Sequence, residues 1–137
     1  MYIGYEQEGL SADEIENSAY GRRLGEILTR IAELSAQNSV RSHIVFIPTK
    51  GHVYTQFAQS GGSNWMARKN QASFDGPHVE TAVANLAARA GLDFVSLTPA
   101  FTTDAEQGRL LYFRFDSHWN SEGRELAAEV VATHLAR

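Results

Sequence analysis

The chain contains no cysteine, so disulfide bonds and thiolate metal sites are excluded. No apolar run approaches the length of a membrane-spanning helix, and the first residues lack the charged and apolar regions of a signal peptide. Acidic residues outnumber lysine and arginine by 16 to 12, and the basic residues form no patch, which argues against a nucleic-acid partner. These absences exclude several classes of protein but leave the localisation open.

What the sequence does contain is the composition of a globular domain. Hydrophobic residues make up 43% and charged residues 20% of the 137 positions, so a packed core is expected. This length suits one small domain and is short for a complete α/β enzyme. We find no internal repeat and no low-complexity tract.

Three stretches have the periodicity and the end signals of helices. The first begins at a capping box formed by Ser11 and Glu14 and ends near Asn38. The second covers residues 77–90 and the third residues 121–135. The apolar residues expected on their buried faces are Leu24, Ile27, Leu28, Ile31 and Leu34 in the first, Val79, Val83, Leu86 and Ala87 in the second, and Leu126, Ala127, Val130, Val131 and Leu135 in the third.

Two short apolar runs are predicted to be strands. Residues 44–47 form a continuous apolar run that ends at Pro48, a pattern typical of a parallel strand buried on both faces. Residues 94–97 form the second run. Short helices are expected at residues 53–58 and shortly after the second run, whereas residues 110–113 are ambiguous between strand and loop.

The alternation of helices and strands predicts an α/β fold with a short parallel sheet. Only two or three strands are expected, and such a sheet leaves an apolar edge unpaired. We therefore expect either a partner chain, most simply in a homo-oligomer, or further sheet-forming sequence.

Asp116 and His118 form the most informative pair, on the loop before the last helix. An aspartate two residues before a histidine can accept a hydrogen bond from Nδ1, which leaves Nε2 free to act as a base. The alternative is a turn-capping aspartate beside a surface histidine. No metal site is predicted, because the other histidines have no matching ligand spacing. They are His43, His52, His78 and His134.

The pair belongs to a block that consists of Tyr112, Asp116, His118, Trp119, Asn120 and Gly123. This block resembles the last conserved block of the SGNH/GDSL hydrolase superfamily. A second stretch, residues 45–54 with its Pro-Thr-Lys turn, is similar to a strand and turn of bacterial SGNH-like proteins. The resemblance implies a three-layer α/β/α fold of the flavodoxin-like type, and it implies that Asp116 and His118 complete a Ser-His-Asp triad.

The resemblance leaves the nucleophile unassigned. The Gly-Asp-Ser block of the family and its oxyanion-hole residues have no counterpart in the sequence. No Gly-x-Ser-x-Gly elbow surrounds Ser60, Ser63, Ser73 or Ser96, so none of these serines is predicted to replace it. We therefore expect residues 1–137 to form a single SGNH-like domain that lacks the nucleophile block.

Bacterial O-acetyltransferases with SGNH-like domains are a related group. They carry a similar Asp-x-His-Trp segment, usually followed by threonine, and in several of them it precedes the serine. Only 17 residues follow Asn120 here, so that order cannot apply within this sequence. Asn120, in place of the usual threonine, also favours the hydrolase pattern. The substrate implied in both groups is an ester or acetyl group on a carbohydrate or lipid, with no cofactor. Trp119, Asn120 and Lys50 are the candidate substrate-binding residues, with loop packing, helix capping and solvation as their respective alternatives.

Three functions stay open. The first is SGNH-type ester hydrolysis or acyl transfer, in which Asp116 orients His118 and a serine comes from other sequence or from another chain. The second is a catalytically inactive SGNH-like remnant that acts as a binding or assembly domain. The third is an unrelated small α/β protein in which the Asp-x-His-Trp segment is structural.

Overall fold

The computed structural model describes residues 10–58 and 76–136. The described residues divide into two compact units. Unit 1 comprises those of Met1–Phe46 and Asp75–Val95, and unit 2 comprises those of Ile47–Phe74 and Ser96–Arg137.

Helices and strands alternate along the described chain. The helices are α1 (Ala12–Asn17), α2 (Ala19–Gln37), α3 (Lys50–Ala58), α4 (Gly76–Arg89), α5 (Thr98–Glu106) and α6 (Ser121–Leu135). The strands are β1 (His43–Phe46) and β2 (Asp93–Ser96). They pair in a two-stranded parallel sheet, which confirms the predicted α/β class and the short parallel sheet. Within the described residues, no helix has the length and apolar character needed to cross a membrane.

The first predicted helix is two helices in the structure. The capping box at Ser11 is present and starts α1. Ser18 then adopts an extended backbone, which ends α1, and its side chain accepts a hydrogen bond from the Gly21 amide to start α2. A Cβ at Gly21 would overlap the carbonyl oxygen of Ile15, so the sharp bend requires glycine there. The prediction of one continuous helix to Asn38 was therefore wrong.

The core of unit 1 lies between α2, α4 and the sheet. Leu28 of α2 packs with Leu86 and Ala87 of α4, and α4 is followed by Gly91 with a φ of 73°, as expected of a helix-ending glycine. Two residues of the predicted stripe on α2 do not reach this core, because Ile27 and Leu34 are 38% and 43% exposed. The buried face of α2 is thus narrower than its sequence indicates.

β1 is less buried than its apolar sequence indicates. The strand starts at His43, one residue before the predicted run, and Val45 and the following Ile47 are 37% and 44% exposed. The prediction of burial on both faces is therefore wrong for the described residues. The reason is that side chains on a sheet face are buried only where other elements pack against that face, and Val45 and Ile47 are not fully covered among the described residues.

Unit 2 is built around α3, α5 and α6. Its largest fully buried side chains include Phe101 and Leu111. The ambiguous residues 110–113 form a loop and not a strand, in which Tyr112 makes an isolated antiparallel bridge with Trp119. Tyr112 is buried, and its ring lies edge-on to that of Phe101 at a centroid distance of 6.0 Å.

α6 has the predicted bounds and most of the predicted buried face. Leu126 and Ala127 are buried in the core of unit 2, and Val131 packs against it. Leu135 is 51% exposed, contrary to the prediction, because it lies one turn beyond Val131, where the helix runs past these core residues.

Candidate active site

The loop that carries the predicted site is fixed where it meets α6. Asn120 is the N-cap of that helix, since its Oδ1 accepts a hydrogen bond from the Gly123 amide at 3.1 Å. Its Nδ2 donates to the Leu110 carbonyl at 2.5 Å, and its own amide donates to the Leu111 carbonyl at 2.9 Å. A Cβ at Gly123 would overlap that Leu111 oxygen, so glycine permits the close approach. The side-chain amide of Asn120 is engaged at both ends within the chain.

Asp116 and His118 are in direct contact, as the sequence predicts. The Asp116 Oδ1 atom lies within hydrogen-bond distance of His118 Nδ1 and also accepts the His118 backbone N–H at 2.7 Å. Both side chains are accessible, with 78% of His118 and 52% of Asp116 exposed. The short spacing of the motif accounts for the contact, because an aspartate bonds readily to the backbone two residues on.

These bonds set the electrostatics of the pair. The hydrogen bond from the His118 amide is the main cause that holds the pKa of Asp116 below its ordinary value, and the ring bond and the nearby Lys50 charge lower it further. When Nδ1 of a neutral His118 donates its proton to the ionised Asp116, Nε2 is left as the unprotonated nitrogen of the ring. Within the described residues no hydrogen bond reaches Nε2 of His118, and this nitrogen is the one that a general base would use.

Lys50 is the first residue of α3 and reaches the same loop. Its Nζ donates to the carbonyl oxygens of Phe113, Arg114 and Asp116, at 2.6, 2.9 and 3.2 Å. The structure therefore brings Lys50 to the predicted site. Its contacts there are with the backbone of the loop.

Two tyrosines tie the same segments together. The Tyr112 hydroxyl donates to the Pro48 carbonyl at 2.5 Å, and burial raises the pKa of Tyr112 above its ordinary value. The Tyr54 hydroxyl donates to the Arg109 carbonyl at 3.0 Å and accepts the Leu111 amide at 2.9 Å. Sequence reasoning missed these contacts, although both tyrosines stand in the two stretches that carried the resemblance. The two stretches meet in unit 2.

Trp119 is half-buried beside His118. Its ring centroid lies 6.5 Å from that of Phe101, and its backbone pairs with Tyr112. These contacts pack the loop onto the core of unit 2.

Of the four serines considered as nucleophiles, Ser96 lies in the part of the chain that the structure describes. Ser96 Oγ accepts the Thr98 amide at 3.1 Å, as a turn serine does, while Ser60, Ser63 and Ser73 lie outside the described residues. Among the described residues, no three histidine, aspartate or glutamate side chains are grouped as metal ligands would be.

A family model described as the SGNH hydrolase-like domain of the acetyltransferase AlgX matches residues 5–137. The chain belongs to this family. The match runs through almost the whole chain and confirms the SGNH-like resemblance. Searches among curated proteins and among solved structures give no match.

Membership in the AlgX family bears on the reading of Asn120. The family description names an acetyltransferase, whereas an asparagine at this position favours the hydrolase pattern in the sequence. The chain is thus an SGNH domain of the acyl-transfer and hydrolase class. The preference of Asn120 for the hydrolase pattern stays a prediction. In the structure, the role of this asparagine is to cap α6.

Proposed function

We propose that this AlgX-family chain provides the base half of a Ser-His-Asp triad for acyl transfer. Asp116 holds the ring of His118, and Nε2 of His118 takes the proton of a serine hydroxyl. The observation that carries the proposal is the double contact of Asp116 Oδ1 with the amide and with Nδ1 of His118. The exposure of the pair also supports it, because an acyl donor must reach Nε2.

The proposed reaction has two halves. The serine oxygen attacks the acyl carbonyl while its proton passes to His118 Nε2, and the alkoxide leaving group then takes that proton as the ester bond breaks. In the second half, Nε2 removes the proton of an acceptor hydroxyl, which attacks the acyl-serine and releases the serine oxygen to be reprotonated. Water as the acceptor gives hydrolysis instead. Asp116 stabilises the imidazolium in each half.

The serine in this proposal comes from outside the described residues, either from other sequence or from a second chain. Residues 1–137 then act as one SGNH-like domain without its own nucleophile block. The unpaired edges of the described two-stranded sheet support assembly with further strands, and a homo-oligomer is the simplest form of it.

The proposed substrate is an acetyl or other acyl ester of a carbohydrate or lipid. The acetyltransferase in the family description supports an acetyl donor. Trp119, half-buried next to His118, is the residue that we propose to border the acyl group. The polar atoms of Asn120 are engaged in capping α6, so a direct contact with substrate is not part of this proposal.

A serine-directed fluorophosphonate probe tests this function on the protein isolated in its native assembly, so that the sequence or the second chain that supplies the serine is present. The expected result is covalent labelling of one serine, identified by mass spectrometry, together with turnover of p-nitrophenyl acetate above a free-imidazole background. His118→Ala should lower both the rate of serine labelling and the rate of p-nitrophenyl acetate turnover by about 100-fold or more. His78→Ala removes an exposed histidine of α4 in unit 1 and should leave both rates unchanged. Equal rates in wild type and His118→Ala would refute the proposal.

The second candidate is a catalytically inactive SGNH-like domain that binds or assembles. It is favoured by one observation, namely that no serine of the described residues hydrogen-bonds to His118. This candidate predicts no labelling of any serine and background turnover, together with a mass above that of a monomer in light scattering. A labelled serine that depends on His118 would exclude it.

A further inference from the structure

We infer that Lys50 is a positioning residue whose ammonium group clamps the loop of residues 113–116 and thereby keeps Asp116 beside His118, an inference that rests on the proposed function. Lys50 lies 66 positions before Asp116 in the chain, so only the fold brings the two together.

The geometry at Nζ carries this inference. A lysine ammonium has three N–H donors and no acceptor. All three donors are used, because the carbonyl oxygens of Phe113, Arg114 and Asp116 lie 2.6, 2.9 and 3.2 Å from Nζ. Three carbonyl dipoles that converge on one point repel each other, and a cation at that point offsets the repulsion. A lysine that only extended into solvent or toward a substrate would not occupy all three donors in this way.

The loop needs such a clamp because it has little regular structure of its own. Its backbone bonds among the described residues include Phe113 N–H to the His118 carbonyl at 3.0 Å and a long one from Asp116 N–H to the Phe113 carbonyl at 3.4 Å. The side chain at Phe115 is 94% exposed, so packing does not hold the tip of the loop. The bonds from Lys50 connect this exposed segment to a helix.

Lys50 is itself well anchored. Pro48, two residues before it, is fully buried and accepts the Tyr112 hydroxyl at 2.5 Å. Thr49 Oγ1 accepts the His52 amide at 3.1 Å, which caps the first turn of α3. The base of the lysine side chain is therefore held by the core of unit 2, and its long stem transmits that position to the loop.

The charge of Lys50 acts in the same direction as its geometry. It is the last of the causes that hold the pKa of Asp116 below its ordinary value, after the bonds and the charge of His118. Removing the charge would weaken the ionised form of Asp116 slightly. Removing the three hydrogen bonds would release the carbonyl of the same residue.

Lys50→Met tests the clamp, because methionine keeps much of the apolar stem and removes the ammonium group. If Lys50 only positions the loop, kcat for p-nitrophenyl acetate should fall roughly 10- to 100-fold with little change in KM. A lysine that binds substrate would raise KM instead. Lys50→Arg keeps the charge, but its planar guanidinium cannot direct donors to three converging carbonyls, so an intermediate loss is expected. Arg30→Met removes an exposed positive charge from unit 1 and is the matched control.

A second readout does not depend on activity. In the full chain labelled with 15N-histidine, NMR should show the Nδ1–H tautomer of neutral His118 in wild type and a mixture of tautomers in Lys50→Met. Amide exchange of His118 should also become about 10-fold faster, because its acceptor is Asp116 Oδ1. Circular dichroism checks that each variant is folded, and Lys50→Arg serves if Lys50→Met is not.

The two readouts separate the two claims. An unchanged tautomer and an unchanged exchange rate in Lys50→Met and Lys50→Arg would overturn the clamp, whatever the activity. A clear change in both, in a chain that the fluorophosphonate probe does not label, would keep the clamp and refute the proposed function. Loss of labelling together with the NMR change supports both.

Discussion

The interactions that stabilise unit 1 internally differ from those that stabilise unit 2 internally. In unit 1, helices pack through aliphatic side chains such as Leu28 and Leu86, which are 3% and 6% exposed. In unit 2, Phe101 is fully buried among other rings, and long-range hydrogen bonds from Lys50 and Tyr54 end on loop backbone. The difference shows that the unit with the candidate catalytic pair also has the irregular segment, and that side-chain donors replace regular secondary structure there.

The two units also differ in how they use buried polar groups. The buried carboxylate of Glu16 in unit 1 accepts hydrogen bonds from Asn85 and Arg89 of α4, so it links two helices. The buried hydroxyl of Tyr112 in unit 2 links a loop to the Pro48 carbonyl. Glu16 joins two regular helices, whereas Tyr112 fixes a loop that has no regular series of backbone hydrogen bonds of its own.

Truncation of the two cores gives the largest expected effects. Phe101→Ala in unit 2 should lower the free energy of unfolding by about 3–5 kcal/mol, because it removes a fully buried ring between Tyr112 and Trp119. Leu28→Ala in unit 1 should cost about 2–5 kcal/mol. Urea denaturation followed by circular dichroism measures both.

The control for these truncations is Phe115→Ala. This ring is 94% exposed, so the free energy of unfolding should change by less than about 0.5 kcal/mol. A loss in Phe115→Ala comparable to that in Phe101→Ala would contradict the view that burial in the core of unit 2 is what stabilises it.

Two glycines, one in each unit, test whether a close contact with backbone is less tolerant of an added Cβ than a close contact with a flexible side chain. Gly123→Ala places a Cβ against the backbone oxygen of Leu111, which cannot move without the loop, so a loss of about 1–3 kcal/mol is expected. Gly25→Ala places a Cβ 3.2 Å from the flexible end of Leu86, and alanine gains about 0.5–1 kcal/mol of helix propensity. Gly25→Ala should therefore stay within about 1 kcal/mol of wild type. Equal losses in the two variants would show that backbone contact at Gly123 is not special.

The link made by Glu16 gives a smaller, pH-dependent effect. Glu16→Ala should cost about 1–3 kcal/mol at neutral pH, because the bonds to Asn85 and Arg89 are lost. The bond from Asn85, and then that from Arg89, lowers the pKa of Glu16 in the folded chain. This stabilisation is present above the unfolded value of about 4.3 and is lost as the pH falls through the lower folded value. Denaturation of wild type and Glu16→Ala between neutral and acid pH should show the difference shrinking at acid pH, and a constant difference would contradict the assignment.

The smallest expected effect is the titration of Asp116. The amide of His118 is the main cause that lowers the pKa of Asp116, so its 13C carboxylate signal should titrate below the ordinary aspartate value of about 3.9. The stabilisation from the hydrogen bonds to ionised Asp116 is therefore fully present above the ordinary value of about 3.9. It is lost as the pH falls through the lower pKa of Asp116 in the folded chain. His118→Ala keeps the amide and should move the midpoint only part of the way back. A full return to the ordinary value would make the ring, and not the amide, the main cause.

Much of the candidate site could be predicted from sequence, because its interactions join close neighbours. Asp116 bonds to the residue two positions on, and Asn120 caps the helix that starts at the next residue. Spacing alone specifies such contacts, since the chain between the partners is too short to offer many alternatives. The same reason explains why the capping box at Ser11 and the bounds of α6 were predicted correctly.

Burial and hydrogen bonding between residues that lie far apart in the chain were decided by the tertiary structure. The apolar run of β1 and the stripe on α2 are local patterns, yet the exposure of Val45 and Leu34 depends on how many elements pack over them. The bonds from Lys50 to residues 63 to 66 positions away have no local signal, because they exist only when α3 and the loop fold into one unit. The sequence by itself determined the contact between Asp116 and His118 and the cap of the following helix through short-range hydrogen bonds. Only the tertiary fold brought Lys50 onto the loop that carries this pair, because the partners lie far apart in the chain.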